Sequence, residues 1–206
     1  MNNKGTMKTF LGICLLFSFG MLTCAQENKP LPATVEKVEG VPVFVYALPA
    51  DDYEVVGKAV TAGHTIRLAV DEISTVREKT VQLVRKALER KENGKVPAFD
   101  AIIIDLDKEK TQAIKFKEGS DPLKAKVLDQ DGVPVYFFSK PDGAYTVVAD
   151  LQADYSLRAE RGLLYDKIKS MVNRTLRKEE SGEVEKFDAV IINPDDLSEQ
   201  LIRFGK

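Results

Sequence analysis

Gly40-Val41-Pro42-Val43-Phe44-Val45-Tyr46, followed by Pro49 and Tyr53, returns as Gly132-Val133-Pro134-Val135-Tyr136-Phe137-Phe138, followed by Pro141 and Tyr145. Further on, Phe99-Asp100-Ala101-Ile102-Ile103-Ile104 returns as Phe187-Asp188-Ala189-Val190-Ile191-Ile192, and Ile114-Lys115-Phe116 as Ile202-Arg203-Phe204. Self-similarity of this kind predicts a tandem duplication, with one copy over residues 33–117, a linker over 118–124 and a second copy over 125–206. The front matches lie 92 positions apart and the rear matches 88, so four residues are missing from the second copy. They fall between Val60 and Val76, where a loop absorbs length cheaply.

Within each copy the hydrophobic pattern predicts strand, strand, helix, strand, strand. Val43–Leu48 and Val135–Ser139 are β-branched and aromatic runs, and the Pro-Ala-Asp-Asp and Pro-Asp-Gly-Ala stretches after them predict hairpin turns into Tyr53–Val60 and Tyr145–Leu151. Pro42 and Pro134 lack an amide donor, so their strand is expected to begin at a sheet edge or beyond the ladder. Ile73, Val76, Thr80, Leu83, Val84, Ala87 and Leu88 recur at three-and-four spacing, as do Leu164, Ile168, Met171, Val172, Thr175 and Leu176, which predicts one long amphipathic helix per copy. Arg77, Glu78, Arg85, Glu89 and Arg90 fall on the opposite, solvated face. Gly94 and Gly182 stand where a left-handed residue would end each helix. Ala101–Ile104 and Ala189–Ile192 are continuous apolar runs, as in a central strand; Thr111–Lys117 and Glu199–Phe204 alternate, as in an outer one. The expected fold is α+β: two ββαββ repeats, each an antiparallel sheet with one helix, packed about a pseudo-twofold axis so that each covers the other's open face.

Balanced charge at 30% of residues and an apolar share of 44% mark a globular chain with a solvated surface. Lys4 and Lys8 are the only charges among residues 1–25 and precede an uncharged run from Thr9 to Ala25, too short for a comfortable membrane span. Residues 1–25 read as an export signal, cleaved before Gln26, and residues 26–32, with Pro30 and Pro32, as an extended leader. The rival reading is lipid attachment at Cys24, behind the poor lipobox Met21-Leu22-Thr23, and the membrane is a partner only in that case. Without residues 1–25 the chain carries 28 basic and 32 acidic residues, which gives no sign of a nucleic-acid partner. Cys14 and Cys24 are the only cysteines, so disulfides, thiol chemistry and cysteine metal sites are excluded from the folded part.

Few residues offer chemistry. His64 is the single histidine, lies in the extra loop of the first copy and reads as a surface residue. Asp100, Asp105, Asp107, Asp188, Asp195 and Asp196 flank the most apolar strands without the spacing and Gly of a calcium loop, and read as turn formers. Phe44, Tyr46, Tyr53, Tyr136, Phe137, Phe138 and Tyr145 read as core and cross-strand packing rather than a glycan or peptide platform. Asn173-Arg174-Thr175 matches a glycosylation acceptor but falls on a predicted helix, and reads as chance. No nucleophile elbow, phosphate loop or dinucleotide fingerprint is present. No catalytic, cofactor or metal residue is therefore assigned.

The succession of Val-Pro-Val-Phe/Tyr strand, Pro turn, Tyr-x-Val-Val strand, helix, Phe-Asp-Ala-Ile/Val-Ile-Ile strand and closing Ile-Lys/Arg-Phe resembles uncharacterised exported two-repeat proteins of Bacteroidetes-type bacteria, over nearly the whole chain after the signal. Tyr53-Glu54-Val55-Val56-Gly57 before a helix is also similar in plan to YbjQ-like and Rcs-stress-lipoprotein-like envelope domains, although the paired cysteines of the stress lipoprotein are absent. Neither resemblance implies an activity. The expectation is a non-enzymatic periplasmic or secreted protein that binds or scaffolds a protein, peptide or glycan, through a groove at the seam between the copies or a free edge strand. The alternatives are a small hydrolase or transferase using carboxylates near Asp100, Asp105 and Asp107 or their second-copy counterparts, and an envelope sensor lipoprotein.

Overall fold

The computed structural model describes residues 31–60, 67–68, 75–105, 110–152 and 162–205. The fold is α+β, with mostly antiparallel sheets and, among the described residues, two helices. In chain order the first half contributes β1 (Ala33–Val35), β2 (Lys37–Val38), β3 (Val41–Val45), β4 (Ala47–Pro49), β5 (Tyr53–Lys58), β6 (Arg67–Leu68), α1 (Val76–Glu92), β7 (Ala101–Asp105) and β8 (Lys110–Phe116). The rest contributes β9 (Lys124–Val127), β10 (Asp129–Gln130), β11 (Val133–Phe137), β12 (Ser139–Pro141), β13 (Tyr145–Leu151), β14 (Gly162–Leu163), α2 (Leu164–Glu180), β15 (Ala189–Ile192) and β16 (Glu199–Phe204).

Two five-stranded sheets run β2-β3-β7-β8-β5 and β10-β11-β15-β16-β13, and β6 pairs with β14 in a two-stranded sheet. The expected hairpin between Val43–Leu48 and Tyr53–Val60, with its counterpart in the second half, does not form. Instead β3 pairs in parallel with β7, and β11 with β15. The expected all-antiparallel sheet is thus corrected, and Thr111–Lys117 and Glu199–Phe204 are not outer strands, because β5 and β13 lie beyond β8 and β16. The cause is local. Tyr46 and Phe138 have φ of 56° and 50°, a left-handed conformation that bulky residues rarely adopt. There the chain swings out of its five-stranded sheet after one continuous apolar strand and enters another.

That other sheet has four strands in the order β12-β1-β9-β4, all antiparallel, drawn from both halves. It covers the face of each five-stranded sheet that the helices leave open. Phe44, Ile103, Ile114, Tyr136 and Ile202 on that face pack with Ala33, Val35, Ala47, Ala125 and Val127 in one cluster. On the opposite face, Val43, Val45, Ile102 and Ile104 share a second cluster with Leu83 and Val84 of α1, and the same cluster holds Phe137, Ile192, Ile168 and Met171. The core is therefore continuous across the two halves, each fully buried aliphatic or aromatic side chain contributing about 1.5–3 kcal/mol.

α1 starts where Thr75 and Glu78 close a reciprocal capping box, and Gly94 and Gly182, at φ of 66° and 76°, follow the two helices as expected. Ile73 lies outside the described residues; the other apolar helix positions are buried or half-buried. Glu39-Gly40 and Asp131-Gly132 both have positive φ and form two-residue hairpin loops into β3 and β11. No helix among the described residues is long and apolar enough to cross a membrane.

Candidate functional site

Asp100 and Asp188 do what short acidic side chains do at strand entries: each Oδ2 accepts a main-chain N–H from the end of the neighbouring strand, Phe116 of β8 at 3.0 Å and Phe204 of β16 at 2.8 Å. Asp196 Oδ1 accepts from the amide and hydroxyl of Ser198, and Asn193 Oδ1 from the amide of Asp195, within the β15–β16 turn. His64 and Asp107 lie outside the described residues, as does the Asp105 side chain. Phe44, Tyr46, Tyr136, Phe137 and Phe138 are buried, while Tyr53 and Tyr145 are half-buried against the shared-sheet cluster. Among the described residues no group of three or more His, Cys, Asp or Glu is placed to hold a metal ion.

Among the described residues a concave feature lies elsewhere, at the seam. A cavity of about 520 Å³ opens between β12, the β15–β16 turn and the end of β13, and residues from both halves line it. Its floor is a row across the second five-stranded sheet, where Ile191 pairs with Gln200 and Gln200 with Asp150. Ser139 and Lys140 of β12 form one side, and Asn193 and Pro194 close another.

From the first half, Glu36 and Arg77 form its end. Arg77 does not lie on a solvated helix face. Its Nη1 bonds Glu36 Oε2 at 2.7 Å, its Nε bonds Asp195 Oδ1 at 2.9 Å, and its guanidinium lies 5.2 Å from the centre of the Phe138 ring. Burial alone would lower the Arg77 pKa, but the hydrogen bonds and charges of Glu36 and Asp195 outweigh it and raise it, so this cation is permanent. The Arg77 main-chain N–H also donates to Pro194 O. One side chain thus ties the first helix to the turn that walls the cleft.

Three further groups line the cleft. Glu199 has no exposed side-chain surface; its Oε1 receives Arg174 Nη2 at 3.1 Å and its Oε2 the Thr175 hydroxyl at 2.8 Å, so its charge is spent inside the fold. Ser139 is 3% exposed and lines the cleft, yet its hydroxyl has no hydrogen-bond partner. A buried hydroxyl left unpaired costs roughly 1–3 kcal/mol. Asp150 Oδ1 accepts from Gln200 Nε2 at 2.9 Å, leaving its second oxygen open.

A groove between the copies was expected from sequence; the residues that build it were not. Arg77, Glu36 and Ser139 carry no local motif, and only the pairing of β1 with β12 brings them together. No protein-family model, curated protein or solved structure matches this chain.

Proposed function

We propose that this chain is an exported, non-enzymatic binding or scaffolding protein of the cell envelope, and that the seam cleft is its ligand site. The observation that carries this reading is a cleft that gathers polar side chains from both halves. Pockets of a few hundred Å³ with a small number of convergent polar groups are the usual form of a ligand site.

The architecture supports descent from a tandem duplication of a ββαββ-like unit packed about a pseudo-twofold axis. Ala33 pairs with Ala125, its counterpart 92 positions on, so an axis relating the halves would pass through that pair. Ala33↔Pro141 and Pro49↔Ala125 are related by the same shift, as are the irregularities at Val55/Gly57 and Val147/Ala149. The cleft, by contrast, is one-sided. Glu36, Lys140 and Asp150 correspond to Leu128, Leu48 and Lys58, so the halves share a scaffold while one seam has a distinct polar chemistry.

Use of Asp100 and Asp188 as backbone acceptors weighs against the carboxylate hydrolase or transferase. The test is an array of short peptides and glycans probed with residues 26–206, in wild-type form and with Gln200→Trp, which fills the floor from an exposed position. Retained binding by the tryptophan variant, or no binding by either, sinks the assignment. Mass spectrometry of the mature protein separates a free terminus at Gln26 from a lipidated Cys24, the latter favouring the envelope-sensor reading.

A further inference from the structure

We propose that the seam cleft takes an organic cation on a short apolar stem, the guanidinium or ammonium of an arginine- or lysine-like group, with Asp150 as its counter-ion. This deepens the binding reading above and rests on it.

Charge decides the class of ligand. Of the carboxylates in or beside the cleft, Glu36 and Asp195 share Arg77, and Glu199 is held by Arg174. Among the described residues Asp150 has no cationic partner. Its Oδ1 accepts from Gln200 Nε2, a neutral donor that orients the carboxylate without cancelling its charge. Lys140 alternates with the buried Ser139 and Pro141 and so turns to solvent. The described part of the cleft therefore carries excess negative charge, and a wall of low dielectric beside it strengthens the pull on a cation.

Geometry decides the shape of the ligand. Ile191, Gln200 and Asp150 are successive cross-strand neighbours on β15, β16 and β13, so their side chains share one face. Adjacent strands lie about 4.8 Å apart, which puts Asp150 roughly 10 Å from Ile191. A short alkyl stem laid across β16 packs its methylene groups on the half-buried Ile191 side chain while its charged head reaches the open oxygen of Asp150. No bond from β12 is needed, since Ser139 and Pro141 are both buried.

The fold itself does not ask for this acid. The same row occurs in the first five-stranded sheet as Ile103, Gln112 and Lys58, where a lysine stands in the place of Asp150. Ile103 is 3% exposed, whereas Ile191 is half-buried, so the second row offers the open apolar floor. A carboxylate kept for sheet packing alone would serve no better than Lys58; a cation site requires the opposite sign.

The probes are n-pentylguanidinium and its neutral isostere n-pentylurea, each titrated into 15N-labelled residues 26–206 at low salt and followed by amide shifts. Shifts centred on Asp150, Ile191 and Gln200 are expected, with the guanidinium bound about fivefold more tightly than the urea, the worth of one partly exposed ion pair. Asp150→Asn and Asp150→Lys, the second copying the row of the first half, should fold and should both lose that preference. Gln200→Trp should block both probes. Equal affinity for guanidinium and urea, or a preference that survives either Asp150 variant, overturns the cation assignment even if the cleft residues shift. If neither probe moves those residues while an array hit, such as a neutral glycan, does, the cation proposal fails and the binding site stands. If nothing moves them, both fail.

Discussion

Tyr46 is the residue on which the path of the chain turns. A left-handed conformation costs an L-residue about 1–2 kcal/mol, and here burial of the ring, the tilted contact with Tyr165 at 6.1 Å and the Tyr46 hydroxyl bond to Gln130 Oε1 at 2.9 Å offset it. Phe138 keeps the conformation with no hydroxyl, covered by Arg77 instead. Tyr46→Phe should therefore fold with the same topology and lose about 1 kcal/mol in urea unfolding, the worth of one buried hydrogen bond. A loss above about 3 kcal/mol, or altered near-ultraviolet circular dichroism, would show that the hydroxyl defines the hinge. No local signal announces a positive φ at an aromatic residue, which is why the sequence predicts a hairpin where the chain changes sheets. Asp142 supports a second residue-scale prediction. Burial would raise its pKa, but bonds from Lys124 and the Thr34 hydroxyl prevail and hold it below the ordinary 3.8. A depressed carboxylate stabilises the fold above its unfolded pKa, and that contribution is lost as pH falls through the folded one. Asp142→Asn should flatten the acid limb of the stability curve below about pH 4 relative to wild type; an unchanged acid limb contradicts the assignment.

At the scale of elements, α2 and β16 are joined by a buried charge with no equivalent in the first half, where Thr111 and Lys86 replace Glu199 and Arg174. Arg174→Ala leaves that carboxylate with Thr175 alone, and removing one partner of a buried pair costs about 3 kcal/mol. Thermal unfolding reads it directly; Arg174→Ala combined with Glu199→Thr should recover most of the loss, and failure to recover would mean Arg174 acts through other contacts. The helices were legible in outline because three-and-four spacing is a local signal, and Thr75-Val76-Arg77-Glu78 is a capping box in sequence as well as in structure. Partner choice among strands was not legible. Val43-Phe44-Val45 is buried on both faces as Ala101–Ile104 is, a hint that the two pair in parallel, yet proximity in sequence favoured the strand just after the turn. Glu39-Gly40 and Asp131-Gly132, the hairpin loops, carry Gly in second place, a local signal as plain as that of the Pro turns.

At the scale of the molecule, the four-stranded sheet makes neither half self-sufficient. β1 sits between β12 and β9, both from the second half, and β4 pairs with β9 alone. The seam site shares this dependence, since Arg77 and Ser139 line one cleft only because the halves interleave, and for that reason a reading of either half by itself misses it. Residues 33–117 expressed alone would expose Phe44, Ile103 and Ile114 to water on one sheet face, about 1.5–3 kcal/mol for each large side chain, and so should not form a stable monomer. They have one other way to cover that face. β1 and β4 occupy the places that β9 and β12 take in the second half, so two copies of the fragment can rebuild the sheet in the order β4-β1-β1-β4, with Ala33 against Ala33 on a true twofold axis. Sedimentation should then show a dimer whose unfolding midpoint rises with protein concentration, and Val35→Asp, placing a charge in the rebuilt sheet, should abolish both dimer and fold. A cooperative monomer with a concentration-independent midpoint would mean that each half carries its own core, and the covering role given to the shared sheet would be wrong.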